Sequence, residues 1–171
     1  MRIPLIPRAE QPDEVGDLLD LAAAATSGVA PPTVAVLAHQ PALLGPFLTW
    51  ASALALNGVL TKRDHELLAL RTAHRCQSTF EWREHVEFAR ASGVTDEEIE
   101  RIAVGPRAEG WSDIDAALLL AADELHDGCT ISPTTWAALA GHYDPGALTE
   151  ITYVVGQYTM LSMVASALEI T

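Results

Sequence analysis

Helical periodicity runs through almost the whole chain, and stretches of alternating β-branched residues that could form a strand are scarce. That property restricts the chain to an all-α fold. Its punctuation divides it into helices near residues 13–26, 32–39, 41–56, 62–77, 79–92, 95–103, 112–127, 133–142 and 145–168. Several starts have a chemical cause. Thr95 with Glu98 has the spacing of a capping box, and Ser132 and Asp144 are N-caps each followed by a proline at the first helical position. Gly58, Gly93, Gly128 and Gly141 stand where helices should stop.

A length of 171 residues suits one domain over the whole chain, and "GPRAEGWSD" (105–113) reads as its one hinge between an N-terminal and a C-terminal half. "LTKRDHELLAL" and "YDPGALTEITYV" echo one another, each a turn followed by a helix with a glutamate, Glu66 and Glu150, as an ancient duplication would leave. The last helix, "ALTEITYVVGQYTMLSMVASALEI", is apolar on more than one face, so it is either central to the core or buried against another subunit.

Charge narrows the partners. Twenty-three acidic against ten basic side chains give a net charge of -13, which repels phosphate backbones and anionic membrane surfaces, so no nucleic-acid partner is expected. The opening "MRIPLIPRAEQPDEVGDLL" has prolines and an acidic run where a signal peptide needs an apolar core, and no apolar run approaches the ~20 residues of a membrane span. A cytoplasmic protein without membrane contact is the expectation. Cys76 and Cys129 are too few for a secreted disulfide framework, and no Cys/His cluster has the spacing of a zinc site, so no metal is expected.

The stretch "CQSTFEWREH" (76–85) carries the densest chemistry. Placed at roughly 100° per residue, Arg83, Glu84, Glu87 and Arg90 fall on a solvated arc, while Trp82, Val86 and Ala89 define a core stripe. Ser78, Glu81 and His85 share an edge of the buried face at spacings that let side chains touch. On the preceding helix Asp64, Arg71 and Arg75 lie on the wet side, and Glu66 lies in the apolar arc with His74, between Leu70 and Ala73. A carboxylate there needs a cation or a raised pKa. Antiparallel packing of the two short-linked helices would bring Glu66 across to His85 as an acid/base pair in an apolar pocket. Elsewhere, Cys76 reads as a core thiol and Cys129 as incidental, Asp123 and His126 as helix-end groups. His39, His65 and His142 read as surface or turn residues, and Tyr153, Tyr158, Met160 and Met163 as core or interface filler.

Residues 56–102, "LNGVLTKRDHELLALRTAHRCQSTFEWREHVEFARASGVTDEEIERI", resemble the carboxymuconolactone decarboxylase family, a branch of the alkylhydroperoxidase D-like superfamily. In the peroxidase branch a glutamate is followed, after eleven residues, by Cys-x-x-Cys, three residues and a histidine. On this chain those positions are Glu66, Ser78, Glu81 and His85. Both cysteines are absent, so the dithiol cycle of an antioxidant peroxidase cannot run on them. "FEW" (80–82) followed by His85 is similar to the Tyr-Glu-Trp-x-x-His signature of the decarboxylase branch, with Phe80 in place of tyrosine.

The resemblance implies an alkylhydroperoxidase D-like helical bundle assembled into rings of three or six, and a lyase of aromatic-compound catabolism acting without cofactor on a small anionic lactone or enolisable acid. His85, Glu66, Glu81 and Ser78 are its expected catalytic residues; Phe80, Trp82 and Arg71 are its expected substrate-binding residues. In such a decarboxylation the electron pair spreads to the lactone carbonyl. His85 polarises that oxygen or delivers the proton, Glu81 or Glu66 orients it, Ser78 donates a hydrogen bond, and Arg71, Arg75 or Arg83 balances the substrate's charge. A thiol peroxidase and a non-catalytic helical oligomer with a buried polar network are the competing readings.

Overall fold

The computed structural model describes residues 1–26 and 28–171. Among these there are nine α-helices and no strand: α1 (Asp13–Ala24), α2 (Pro32–Ala35), α3 (Pro41–Asn57), α4 (Lys62–Arg75), α5 (Thr79–Ala91), α6 (Asp96–Val104), α7 (Asp113–Gly128), α8 (Pro133–Ala140) and α9 (Pro145–Leu168). Short 3-10 turns occupy Arg8–Glu10 and Val36–His39. The caps expected from sequence form: Thr95 and Glu98 make both bonds of the capping box, Ser132 accepts from the Thr135 amide, and Asp144 accepts from the Ala147 amide.

The chain forms two compact units, Met1–Asn57 with Val164–Thr171, and Gly58–Met163. In the first, Val15 and Leu19 of α1, Ala35 and Ala38, and Leu44 of α3 make the core. Its two chain ends meet where the Arg2 amide donates to the Leu168 carbonyl at 2.7 Å and Arg2 pairs with Glu169.

The second unit is built around α4, whose Leu67, Leu68, Ala69, Leu70 and Ala73 have no exposed surface. This helix packs against α5, α6 and α7, and α8 packs against α7. Ion pairs tie the helices together where burial is incomplete: Arg63 of α4 reaches Glu98 of α6 at 2.5 Å and Asp115 of α7 at 2.7 Å. The 105–113 segment, expected to be a hinge, lies inside this unit. It is stitched down by Trp111 Nε1 donating to the Gly105 carbonyl at 3.2 Å, Arg101 donating to the Gly110 carbonyl at 3.0 Å, and the Arg101 guanidinium over the Trp111 ring. The boundary falls instead at Asn57–Gly58.

Helix α9 buries Ile151, Val154, Val155 and Tyr158 and exposes Tyr153, Met160 and Met163. At 24 residues it is long and apolar enough, by length and composition, to cross a membrane. The expectation that no apolar run comes close to that length is thereby corrected; Thr, Gln and Gly interrupt the run in sequence without lowering its mean hydropathy enough. The Glu66–Glu150 echo does not extend to their roles. The Glu150 carboxylate accepts from the Val59 and Leu60 amides at 2.5 and 3.3 Å, securing the turn before α4.

Candidate active site

The hairpin of α4 and α5 places the densest cluster of ionisable side chains. Thr61 caps α4 by accepting from the Asp64 amide, and α4 runs through His65 and Glu66 on its buried side. Gln77 takes a left-handed backbone (φ 55°) that reverses the chain, and Ser78 then caps α5 by accepting from the Glu81 amide at 3.3 Å. Position 81 is therefore fixed in the first turn of α5, and His85 lies one turn further along the same face.

His85 Nδ1 lies 2.8 Å from Glu66 Oε2. A carboxylate accepts and does not donate, so Nδ1 carries the proton and neutral His85 keeps its lone pair on Nε2. That nitrogen lies 4.0 Å from Glu81 Oε2, too long for a hydrogen bond. Glu81 is 3% exposed and its Oε1 has no hydrogen-bond partner. Burial pushes the Glu81 carboxyl up to about 7; a charge on His85, when present, opposes that rise and Glu84 adds to it. A proton acceptor and a carboxyl that holds its proton near neutrality thus face one another across a short gap.

Two residues read from sequence as surface and filler complete the cluster. His65 Nε2 is 2.9 Å from the Tyr158 hydroxyl, and both residues are buried. The Tyr158 ring meets the His85 ring edge-on, with centroids 4.4 Å apart and planes at 77°, and Phe88 lies 5.5 Å from His85. Burial first, then the charges of Glu66 and Glu81, push the Tyr158 phenol well above its ordinary pKa, and burial lowers that of His65. Tyr158 is 93 positions from His65, so no local spacing could reveal the pair; the one available signal was the place of His65 next to Glu66.

The structure brings Glu66, Glu81, His85 and Ser78 together, with the Ser78 oxygen engaged as a helix cap. Phe80 is buried and lies under the Arg83 guanidinium, and Trp82 is half-buried against His74. Arg71 corrects the sequence reading. It is 4% exposed and far from wet, and its guanidinium makes four hydrogen bonds to protein oxygens: Asp123 at 2.6 and 2.8 Å, Ile102 at 2.8 Å and Ala103 at 3.2 Å. Helical angle alone misplaced it because α6 and α7 cover that side of α4. Asp123 is accordingly an ion-pair partner and not a helix cap. His74 is exposed instead of sharing the apolar arc, and Cys76 is half-buried with Sγ 3.6 Å from His126 Nδ1, so it is not a core thiol. No cluster of three or more potential metal ligands occurs among the described residues.

Residues 41–124 match the model of the carboxymuconolactone decarboxylase family. Over that segment, just under half of its length, the chain is similar to this family. The matched segment encloses all four motif positions, while Tyr158 lies beyond it. Solved structures agree on an alkylhydroperoxidase D-like fold for the chain. An alkylhydroperoxidase AhpD core, an uncharacterized peroxidase-related protein from Ralstonia eutropha JMP134, superposes with a TM-score of 0.85 at 20% identity, covering 99% of this chain and 90% of that one. A peroxidase-related protein from Silicibacter sp. TM1040 gives 0.85 at 19% identity, with the same coverages of 99% and 90%. A debrominase, Bmp8, in complex with 2,3,4-tribromopyrrole gives 0.81 at 13% identity, covering 99% and 90%. No curated protein matches the chain significantly.

Proposed function

We propose that the chain is a cofactor-independent acid/base enzyme, a carbon–carbon lyase or isomerase acting on a small lactone or enolisable carboxylic acid. The observation that carries this reading is His85, held through Nδ1 by Glu66 at 2.8 Å with Nε2 open toward the buried Glu81 carboxyl. In the decarboxylating direction the bond from ring carbon to carboxylate breaks, carbon dioxide leaves, and the electron pair moves to the lactone carbonyl oxygen. The protonated Glu81 carboxyl delivers one proton to the resulting enolate at carbon, and neutral His85, oriented by Glu66, relays a replacement proton from solvent to Glu81. Isomerisation uses the same two groups, one removing a proton and the other supplying it. Arg71 is tied to Asp123, so its guanidinium is not the group that faces an anionic substrate in this reading.

The thiol-peroxidase alternative is disfavoured because Ser78 and Glu81 occupy the dithiol positions of the family pattern. The test follows loss of a carboxylated unsaturated lactone and release of carbon dioxide. A folded His85→Ala variant is expected to lose ~10²- to 10⁴-fold in turnover, and iodoacetamide treatment of the wild type to change nothing. Unchanged turnover in the folded variant, or inactivation by alkylation, refutes the reading.

We also propose that the chain self-associates as a trimer or hexamer. Tyr153, Gly156, Met160 and Met163 recur along one exposed line of α9, a spacing suited to a second helix. Light scattering at micromolar concentration showing a monomer would overturn this.

A further inference from the structure

The buried phenol of Tyr158 presents a problem that the acid/base site must solve. Its ring touches His85, and its hydroxyl lies close enough to the charges of Glu66 and Glu81 for both to oppose its ionisation. An un-ionised phenol that turns to reach a carboxylate donates to it, and such a charge-assisted bond is about twice as strong as one between neutral groups. Directed at Glu66, this donor would compete with His85 Nδ1 for the oxygen that fixes the imidazole. In the structure the hydroxyl lies 2.9 Å from His65 Nε2, which accepts it when the neutral ring carries its proton on Nδ1. His65 is 5% exposed, and its burial disfavours the imidazolium, so one ring nitrogen stays free to accept.

We propose that His65 is a positioning residue: by accepting the Tyr158 hydroxyl it keeps that proton away from Glu66 and reserves the carboxylate for His85. The inference rests on the acid/base reading of His85 but concerns a property of the resting protein. His65 and Glu66 are consecutive on α4, so the acceptor for the phenol and the acceptor for the imidazole are set side by side by one turn of helix. The residue that creates the competition arrives from α9, and the residue that removes it comes from the same helix as the carboxylate it protects.

The test needs no substrate. In protein labelled with nitrogen-15 at histidine, the wild type is expected to show His85 as a single Nδ1-protonated tautomer with a downfield, exchange-protected proton from the Glu66 bond. His65→Leu removes the acceptor and keeps an apolar side chain at the buried position. It is expected to lose that downfield signal or shift His85 toward the other tautomer, because the freed hydroxyl turns to Glu66. The double variant His65→Leu/Tyr158→Phe has no hydroxyl to turn, and is expected to restore the wild-type signal. Restoration separates the proposal from general loosening, which a second substitution would worsen; circular dichroism and melting curves confirm that each variant is folded. If His85 is unchanged in folded His65→Leu, or if the double variant fails to recover, the proposal is overturned. Turnover of the lactone with an unchanged tautomer in His65→Leu would sink this inference alone, and the predicted tautomer pattern in a protein that turns nothing over would sink only the enzymatic reading. Should His65→Leu not fold, His65→Gln, which retains an acceptor, is expected to keep the His85 signal, whereas loss of that signal in the folded variant counts against the proposal.

Discussion

Removing the Arg71 side chain should unfold much of the second unit's stability while leaving substrate affinity aside. Arg71→Ala leaves Asp123 with only Arg75 Nε at 3.6 Å, and takes the hydrogen-bond donor from the Ile102 and Ala103 carbonyls at the end of α6. Breaking a buried ion pair by deleting one partner costs about 3–5 kcal/mol. Asp123 is 15% exposed, so water can partly solvate its orphaned charge, and the lower part of that range is expected. For an m-value of about 2 kcal/mol per molar urea, the unfolding midpoint should fall by about 1.5–2 M. Equilibrium urea unfolding followed by far-ultraviolet circular dichroism measures this directly. The double replacement Arg71→Met/Asp123→Leu should recover most of the loss, because no buried charge is then left unpaired. A loss below about 1 kcal/mol in Arg71→Ala, combined with a selective rise in KM, would refute the argument and return Arg71 to the substrate-binding role expected from sequence.

Three further outcomes can be checked. The folded-state pKa of Glu81, about 7, lies above its ordinary 4.5, so the folded protein retains a proton that the unfolded chain releases. This contribution is fully present below the ordinary value and lost as pH rises through 7. With His85, Glu84 and Tyr158 the charged or titratable groups that act on it, Glu81→Gln should gain on the order of 3 kcal/mol over wild type at pH 8 and little at pH 5, by urea unfolding; an equal difference at both pH values contradicts it. Thr95→Ala removes one half of the capping box on α6 and should cost about 1 kcal/mol in the same assay. Gly105 has φ 113° and ψ -168°, and an added Cβ would press on the Arg71 guanidinium, so Gly105→Ala should lose about 1–3 kcal/mol. A variant as stable as wild type would show that neither backbone nor guanidinium resists.

Sequence periodicity located the helices closely because their ends carry their own chemistry: Thr95, Ser132 and Asp144 cap where their side chains can reach the third amide, whatever lies around them. Glu66, Ser78, Glu81 and His85 were legible for a related reason, since they lie on a local hairpin where helical angle and loop length determine proximity. Arg71 was misread because an angle on one helix says nothing about how many neighbours cover it, and α6 and α7 cover that side. Tyr158 was invisible as a site residue because its relation to His65 and His85 exists only after a distant helix has packed.

The dyad's two members are only 19 residues apart, so Glu66 and His85 can meet as soon as α4 and α5 fold upon each other. Part of the wall around that pair has another origin, because Tyr158, whose ring lies edge-on to His85, arrives on α9. During synthesis the pair could therefore exist for a time as an ordinary solvated carboxylate and imidazole, geometrically complete and chemically idle. Its surroundings would change with the closing of the core around it. A chain stalled or clipped before α9 would keep every residue of the recognised motif and still lack the Tyr158 ring that lies against His85.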